Sequence, residues 1–194
     1  MMEQTIHSTS LNTNMEEEVR KSFRMISYLL QYPDKRWLQW GELVEELVEF
    51  LNKDLQAFLA NFLERIGDYS LDDLEQHYVN LFDFNPECSL SLSYLKAGEQ
   101  RERGQILVEL KALYKQYGYE MTDAELSDYL PVVLEFASVA PLQIAVNLLK
   151  SLEEPIEKLS NELKQQNSPY EYLILAALCG KEAMEDINSK GGRG

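Results

Sequence analysis

Histidine, cysteine and tryptophan each occur only twice in the 194 residues. The two cysteines, Cys88 and Cys179, lie far apart without CxxC spacing, so they read as free thiols in a reducing compartment rather than a disulfide framework. His7 and His77 are the only imidazoles, and a zinc site would have to gather scattered ligands without any recognisable spacing. A nucleophile-and-base enzyme needs Ser or Cys with a positioned His. Only His77 falls within the expected folded part, and no spacing ties it to Cys88. No glycine-rich phosphate loop of either common form occurs. Basic residues are scarce too, 18 against 33 acidic, for a net charge of −15. A nucleic-acid binder usually clusters Lys and Arg, and no such cluster is present. No apolar run approaches the roughly 20 residues of a membrane span. The opening MMEQTIHSTSLNTN lacks the basic start and apolar stretch of a secretory signal. These absences lead us to expect a soluble, cytoplasmic protein without metal, cofactor or catalytic constellation of its own.

What is present is helix. Hydrophobic residues make up 45% of the chain, enough for one substantial core and one domain. Residues 1–14 and the tail 188–194 are polar or glycine-rich and are expected to fray, leaving a folded domain over 15–187. From Met15, Val19, Phe23, Ile26 and Leu30 share one helical face, and Pro33 ends the run. Leu43, Leu47 and Phe50 repeat the pattern, with Glu42, Glu45, Glu46 and Glu49 around the same helix. A third helix covers DLQAFLANFLERI. A fourth starts at Ser70 as N-cap and buries Leu71, Leu74, Tyr78 and Leu81. Further on, Ile106, Leu110, Leu113 and Tyr117 form a stripe that Gly118 stops. Thr122 and Glu125 have capping-box spacing, and Pro131 either kinks the helix that follows or divides off a short first turn. A long stripe from Ala145 to Leu163 carries a bend at Pro155, and Ser168-Pro169 opens a last, apolar helix. The fold class is therefore all-α, a single bundle of about eight or nine helices.

Two stretches resist this plain reading. In LFDFNPECSLSLSYLKAGEQRERG, residues 81–104, Phe82, Phe84, Leu90, Leu92 and Tyr94 either plug the core or line a groove for a partner's apolar side chains. Arg101 and Arg103 then occupy the first turn of a helix, where the dipole disfavours positive charge. They suit a loop-supporting role through loop carbonyls. Gly104 would allow a neighbouring helix to approach closely. In ELSDYLP, residues 125–131, Glu125 serves as a cap or joins Asp128 and Tyr129 in receiving a guanidinium.

The run from Tyr78 to Phe136 resembles the NarJ-type assembly chaperones of respiratory nitrate reductase, within the wider TorD-like group of redox-enzyme maturation chaperones. Five gapped blocks carry it in order: YVxLFD, SLxL, GExRxRG, LxxLxxxYxxxG and ELxDYLPxxLEF. One departure is Ser127, where such sequences commonly have proline. The resemblance implies a TorD-like helical chaperone that binds the N-terminal peptide of the apo, molybdenum-binding catalytic subunit. The chaperone would support molybdenum cofactor insertion and leave before membrane docking. By motif position it points to Phe82 and Tyr94 on the loop, and to Glu125, Asp128, Tyr129 and Pro131 on the turn. Leu134 would join them in a groove with an acidic lip, while Arg101 and Arg103 hold the loop. Either a monomer or a domain-swapped dimer fits. The alternatives are a nucleotide-dependent switch or enzyme on the same fold, and a permanent structural adaptor subunit.

Overall fold

The computed structural model describes residues 2–38, 45, 47, 50–97, 101–122 and 125–191. Among these are nine α-helices and no strand. They are α1 (Met2–Leu29), α2 (Lys53–Ile66), α3 (Leu71–Tyr78), α4 (Leu92–Ala97), α5 (Arg101–Gln116), α6 (Leu130–Val139), α7 (Leu142–Ser151), α8 (Glu153–Gln165) and α9 (Tyr170–Gly191). Glu42, Glu46, Glu49 and Leu43 lie outside the described residues, while Leu47 and Phe50 are buried as expected.

Helix α9 is the hub, packing on α1, α2, α7 and α8, and α1 also lies along α6. The expected stripe of Val19, Phe23, Ile26 and Leu30 is fully buried. Each such side chain contributes about 1.5–3 kcal/mol of apolar transfer free energy. Helices α9 and α1 approach closely at Gly180 of α9, where an added Cβ would sit 2.7 Å from Cε1 of Phe23 and 3.2 Å from Cγ1 of Val19. An added Cβ at Gly104, by contrast, would meet nothing within 4 Å outside its own helix backbone among the described residues. Close packing therefore belongs to the later glycine. Gly180→Ala would gain about 1 kcal/mol of helix propensity, but overpacking costs about 1–3 kcal/mol. We expect the clash to win and the variant to melt at lower temperature in a calorimetric scan; a raised melting point would contradict this packing.

Polar ties close the bundle. Arg20 of α1 donates from Nη1 to the carbonyls of Ser138 (3.1 Å) and Ala140 (2.8 Å), capping the end of α6. Glu18 accepts from the amides of Leu51 and Asn52, and Asn52 in turn caps α2. Lys181 is buried between Glu153 and Glu185 and bolts α9 to α8. Burial opposes its charge, and the hydrogen bonds to the two carboxylates overcome that, leaving its pKa raised.

Several boundaries differ from the sequence reading. Residues 2–14 belong to α1 and residues 188–191 to α9; no proline or glycine interrupts the first segment. The long stripe around Pro155 is two helices. Pro155 has no N–H to offer Ser151 four residues earlier, so α7 ends at Ser151 and Leu152 turns the chain into α8. Thr122 does hydrogen-bond Glu125 at 2.8 Å, yet the helix starts only at Leu130, with Pro131 in its first turn. Gly118 ends α5 at φ +74°, a conformation that favours glycine.

Candidate functional site: an aromatic and acidic patch beside a buried clip

The irregular stretch begins where α3 fails to end cleanly. Ser70 and Asp73 form a reciprocal capping box at its start. At its far end the chain widens into a π-turn, Val79–Asp83, closed by the Phe84 amide donating to the Val79 carbonyl at 3.2 Å. One extra residue in the turn re-aims the side chains that follow. It places Phe82 against Tyr78 and Tyr170, with centroids 4.8 and 5.0 Å away. Asn85 then caps a short 3-10 turn, Pro86–Cys88, and donates to the Cys88 sulfur. Burial, helped by Glu162 and Glu87, pushes the Cys88 thiol up to about 11. His77 pairs with Ser168 at 3.1 Å and stacks on Tyr170. Its pKa is lowered, by burial first and Arg65 second. Imidazole and thiol thus have separate structural partners.

The Leu-Ser alternation meets ELSDYLP across a single antiparallel bridge, Ser91 to Tyr129. The Leu92 amide donates to the Asp128 carbonyl at 3.0 Å, and the Leu130 amide to the Leu90 carbonyl at 2.8 Å. Asp128 is 0% exposed. Its Oδ2 accepts from the Ser93 amide (3.0 Å) and hydroxyl (2.6 Å), capping the first turn of α4 from another part of the chain. Its Oδ1 has no hydrogen-bond partner among the described residues. Arg103 reaches the same serine, Nε donating to Oγ at 3.3 Å, while its guanidinium lies 5.7 Å above the half-buried Tyr94 ring. Among the described residues, Arg103 meets the loop through this hydroxyl and this ring. Arg101 is exposed, and no hydrogen bond from it is seen among the described residues. The Ser127 hydroxyl donates to the Leu107 carbonyl, and the Ser127 backbone carbonyl accepts from the Tyr114 hydroxyl, both at 2.8 Å. Both bonds hold this turn on α5, and the one from the hydroxyl is particular to serine.

This clip relocates part of the expected groove lining. All three of Asp128, Pro131 and Leu134 are buried: Asp128 against Ser93 of α4, and Pro131 and Leu134 on α6, which packs on α1 and α7. Ser27 of α1 even donates to the Pro131 carbonyl at 2.7 Å. Glu125 is exposed; Phe82 and Tyr129 are half-buried.

Around Phe82 and Tyr129 the structure gathers further rings, of which Tyr32 and Tyr170 had not been singled out in the sequence. Tyr32, 50% exposed, stands edge-on to Tyr78 at 5.5 Å. Tyr78 donates to the Leu30 carbonyl, and its hydroxyl lies 3.3 Å from that of Tyr129. The buried Tyr170 hydroxyl has no hydrogen-bond partner among the described residues. Carboxylates rim the rings. The pKa of Tyr32 is raised by desolvation and by Glu75 and Asp83. That of Tyr129 is raised by burial above all, with Asp83 and Glu125 adding to it against the lowering effect of Tyr78. Phe84, 76% exposed, follows directly after the π-turn. Rings with carboxylates at their edges can take apolar groups and stack and pair with a cation.

A separate groove of about 370 Å³ runs between α5 and α7, walled by Ile106, Leu110 and Leu113 on one side and Ile144, Leu148 and Leu152 on the other. None of the residues expected to bind peptide lines it.

Among the described residues, no group of three or more His, Cys, Asp or Glu could hold a metal ion. No described helix is long and apolar enough to cross a membrane. The family profile described as "Nitrate reductase delta subunit" matches residues 39–174. The chain belongs to the nitrate reductase delta subunit family. Within it, the chain is similar to the probable nitrate reductase molybdenum cofactor assembly chaperone NarJ of Bacillus subtilis (strain 168). The two are 36% identical over 164 residues, covering 81% of this chain and 88% of that relative. It is 35% identical to the NarJ chaperone of Escherichia coli (strain K12), covering 77% of this chain and 65% of that protein. The probable chaperone NarW of the same strain is 31% identical, covering 86% and 71%. The family match agrees with the resemblance carried by residues 78–136. It contains the π-turn and the clip, while Tyr32 lies outside it.

Proposed function

We propose that this chain is a client-specific assembly chaperone without catalysis of its own, serving the molybdenum-binding catalytic subunit of nitrate reductase. It binds the N-terminal peptide of the apo subunit in the cytoplasm, holds that subunit while molybdenum cofactor is inserted as cargo, and leaves before the enzyme docks at the membrane. The observation supporting this reading most is the patch beside the π-turn. Phe82 and Tyr129, with Tyr32 and Phe84, offer ring surface to apolar side chains of the peptide, and Glu75, Asp83 and Glu125 attract its basic residues. Asp128, Pro131 and Leu134 hold the turn that presents Tyr129, and Arg103 holds Tyr94 in the loop. A few desolvated aromatic contacts give micromolar affinity, about 8 kcal/mol. The net charge of −15 mainly speeds association and loses influence as salt rises.

The test is co-purification. Apo catalytic subunit should retain the chain on an affinity column, a subunit lacking its N-terminal peptide should not, and the finished membrane enzyme should contain none. Finding the chain at full stoichiometry in the finished enzyme would favour a permanent adaptor instead.

A further inference from the structure

We propose that the Tyr170 hydroxyl is the specificity element at the floor of the peptide patch, donating to the uncharged side-chain oxygen of one Asn, Gln, Ser or Thr of the client peptide. This rests on the reading of the patch as the peptide site, and adds the kind of residue that the site selects.

Tyr170 opens α9 and is fully buried. Four rings hold it, with centroids at 5.0 Å (Phe82), 5.5 Å (Phe62), 5.9 Å (His77) and 6.0 Å (Tyr78). Its amide donates to Oγ of Ser168 at 3.3 Å, the same hydroxyl that pairs with His77. The residue is therefore fixed in place, yet its own hydroxyl has no hydrogen-bond partner among the described residues. Tyr78 differs, because its hydroxyl has both the Leu30 carbonyl and Tyr129. Burial first, and the Tyr129 phenol second, raise the Tyr170 pKa, so the group stays a neutral hydroxyl with a proton to donate. A buried hydroxyl without a partner lowers stability. If ring packing were its whole role, phenylalanine would serve better.

Position and chemistry select what reaches it. Tyr170 adjoins the two half-buried rings of the patch, Phe82 by ring contact and Tyr129 through its phenol. Rotating the Phe82 side chain would uncover the hydroxyl without breaking a backbone hydrogen bond. A peptide carbonyl entering there would carry its own N–H into a site walled by rings, so the tip of a side chain fits better. A carboxylate acceptor would meet Glu75, Asp83 and Glu125 at the rim and would lose its hydration. An amide or hydroxyl oxygen meets neither penalty, while the basic residues of the peptide stay outside with the rim. A site with a buried group to pair rejects a peptide lacking the partner more sharply than ring contact alone does.

Two measurements on the full chain test this. In a thermal melt without peptide, Tyr170→Phe should raise the melting temperature by about 2–4 °C, because it removes an unpartnered polar group and keeps the ring. In calorimetric titration with the N-terminal peptide of the catalytic subunit, the same variant should bind about tenfold more weakly. The titration is repeated with a set of peptides, each with one Asn, Gln, Ser or Thr replaced by an apolar residue of similar size. One of them should bind the parent chain about tenfold more weakly, yet bind Tyr170→Phe as well as the unaltered peptide does. A lowered melting temperature would show that the hydroxyl is already satisfied in the free chain. Parent-like affinity of the variant, or independent losses in every pair, would show that the peptide does not use it. Each of these results overturns the proposal and leaves the patch standing as the peptide site. Failure of the parent chain to bind the peptide would overturn both.

Discussion

Asp128→Ala is expected to lower the free energy of unfolding by about 2–3 kcal/mol. The carboxylate accepts two hydrogen bonds from Ser93 in a site closed to water. Hydrogen bonds to a charged acceptor are worth about 1.5–3 kcal/mol each. Against that stands the cost of burying Oδ1 without a partner, so the net loss falls well short of the sum. Removing the side chain orphans the Ser93 amide in the first turn of α4 and frees a hydroxyl that Arg103 also uses. The effect should therefore be local as well as global. Urea unfolding should show the lower midpoint, and the amides of Leu92 to Leu95 should exchange faster than those of α9. Unchanged stability and unchanged exchange in α4 would mean that the carboxylate does not cap that helix.

Tyr129→Ala is expected to weaken binding of the client's N-terminal peptide by about 10–30-fold, the loss of one aromatic anchor at about 1.4–2 kcal/mol. Tyr129→Phe should retain most of the affinity. It keeps the ring and loses only the contact with the Tyr78 hydroxyl, which still has the Leu30 carbonyl to donate to. Calorimetric titration with the peptide reads both. Parent-like binding by the alanine variant would move the site away from the patch.

The helices were legible because their apolar spacing is strong. Phe23, Ile26 and Leu30, or Leu148, Leu159 and Leu163, report burial through period alone. Ser70 as a cap and Gly118 as a stop were legible from local chemistry. The site was harder. A π-turn adds one residue without any marker in the sequence, so the direction of Phe82 could not be read from Tyr78. Asp128 looks like a surface carboxylate because the serine it caps lies 35 residues earlier. Thr122 and Glu125 satisfied a capping pattern locally, yet the residues after them pair with the loop at Leu90 to Leu92 and postpone the helix. Tyr32 lies just beyond the end of α1, and only packing against Tyr78 brings it to the patch.

The most direct test is a titration of the chain, labelled with fluorotyrosine, with the N-terminal peptide of the catalytic subunit, followed by fluorine resonance. The Tyr32 and Tyr129 signals should move together along one saturating curve while buried Tyr114 on α5 stays in place. Saturable binding that leaves Tyr32 and Tyr129 unmoved would contradict the account.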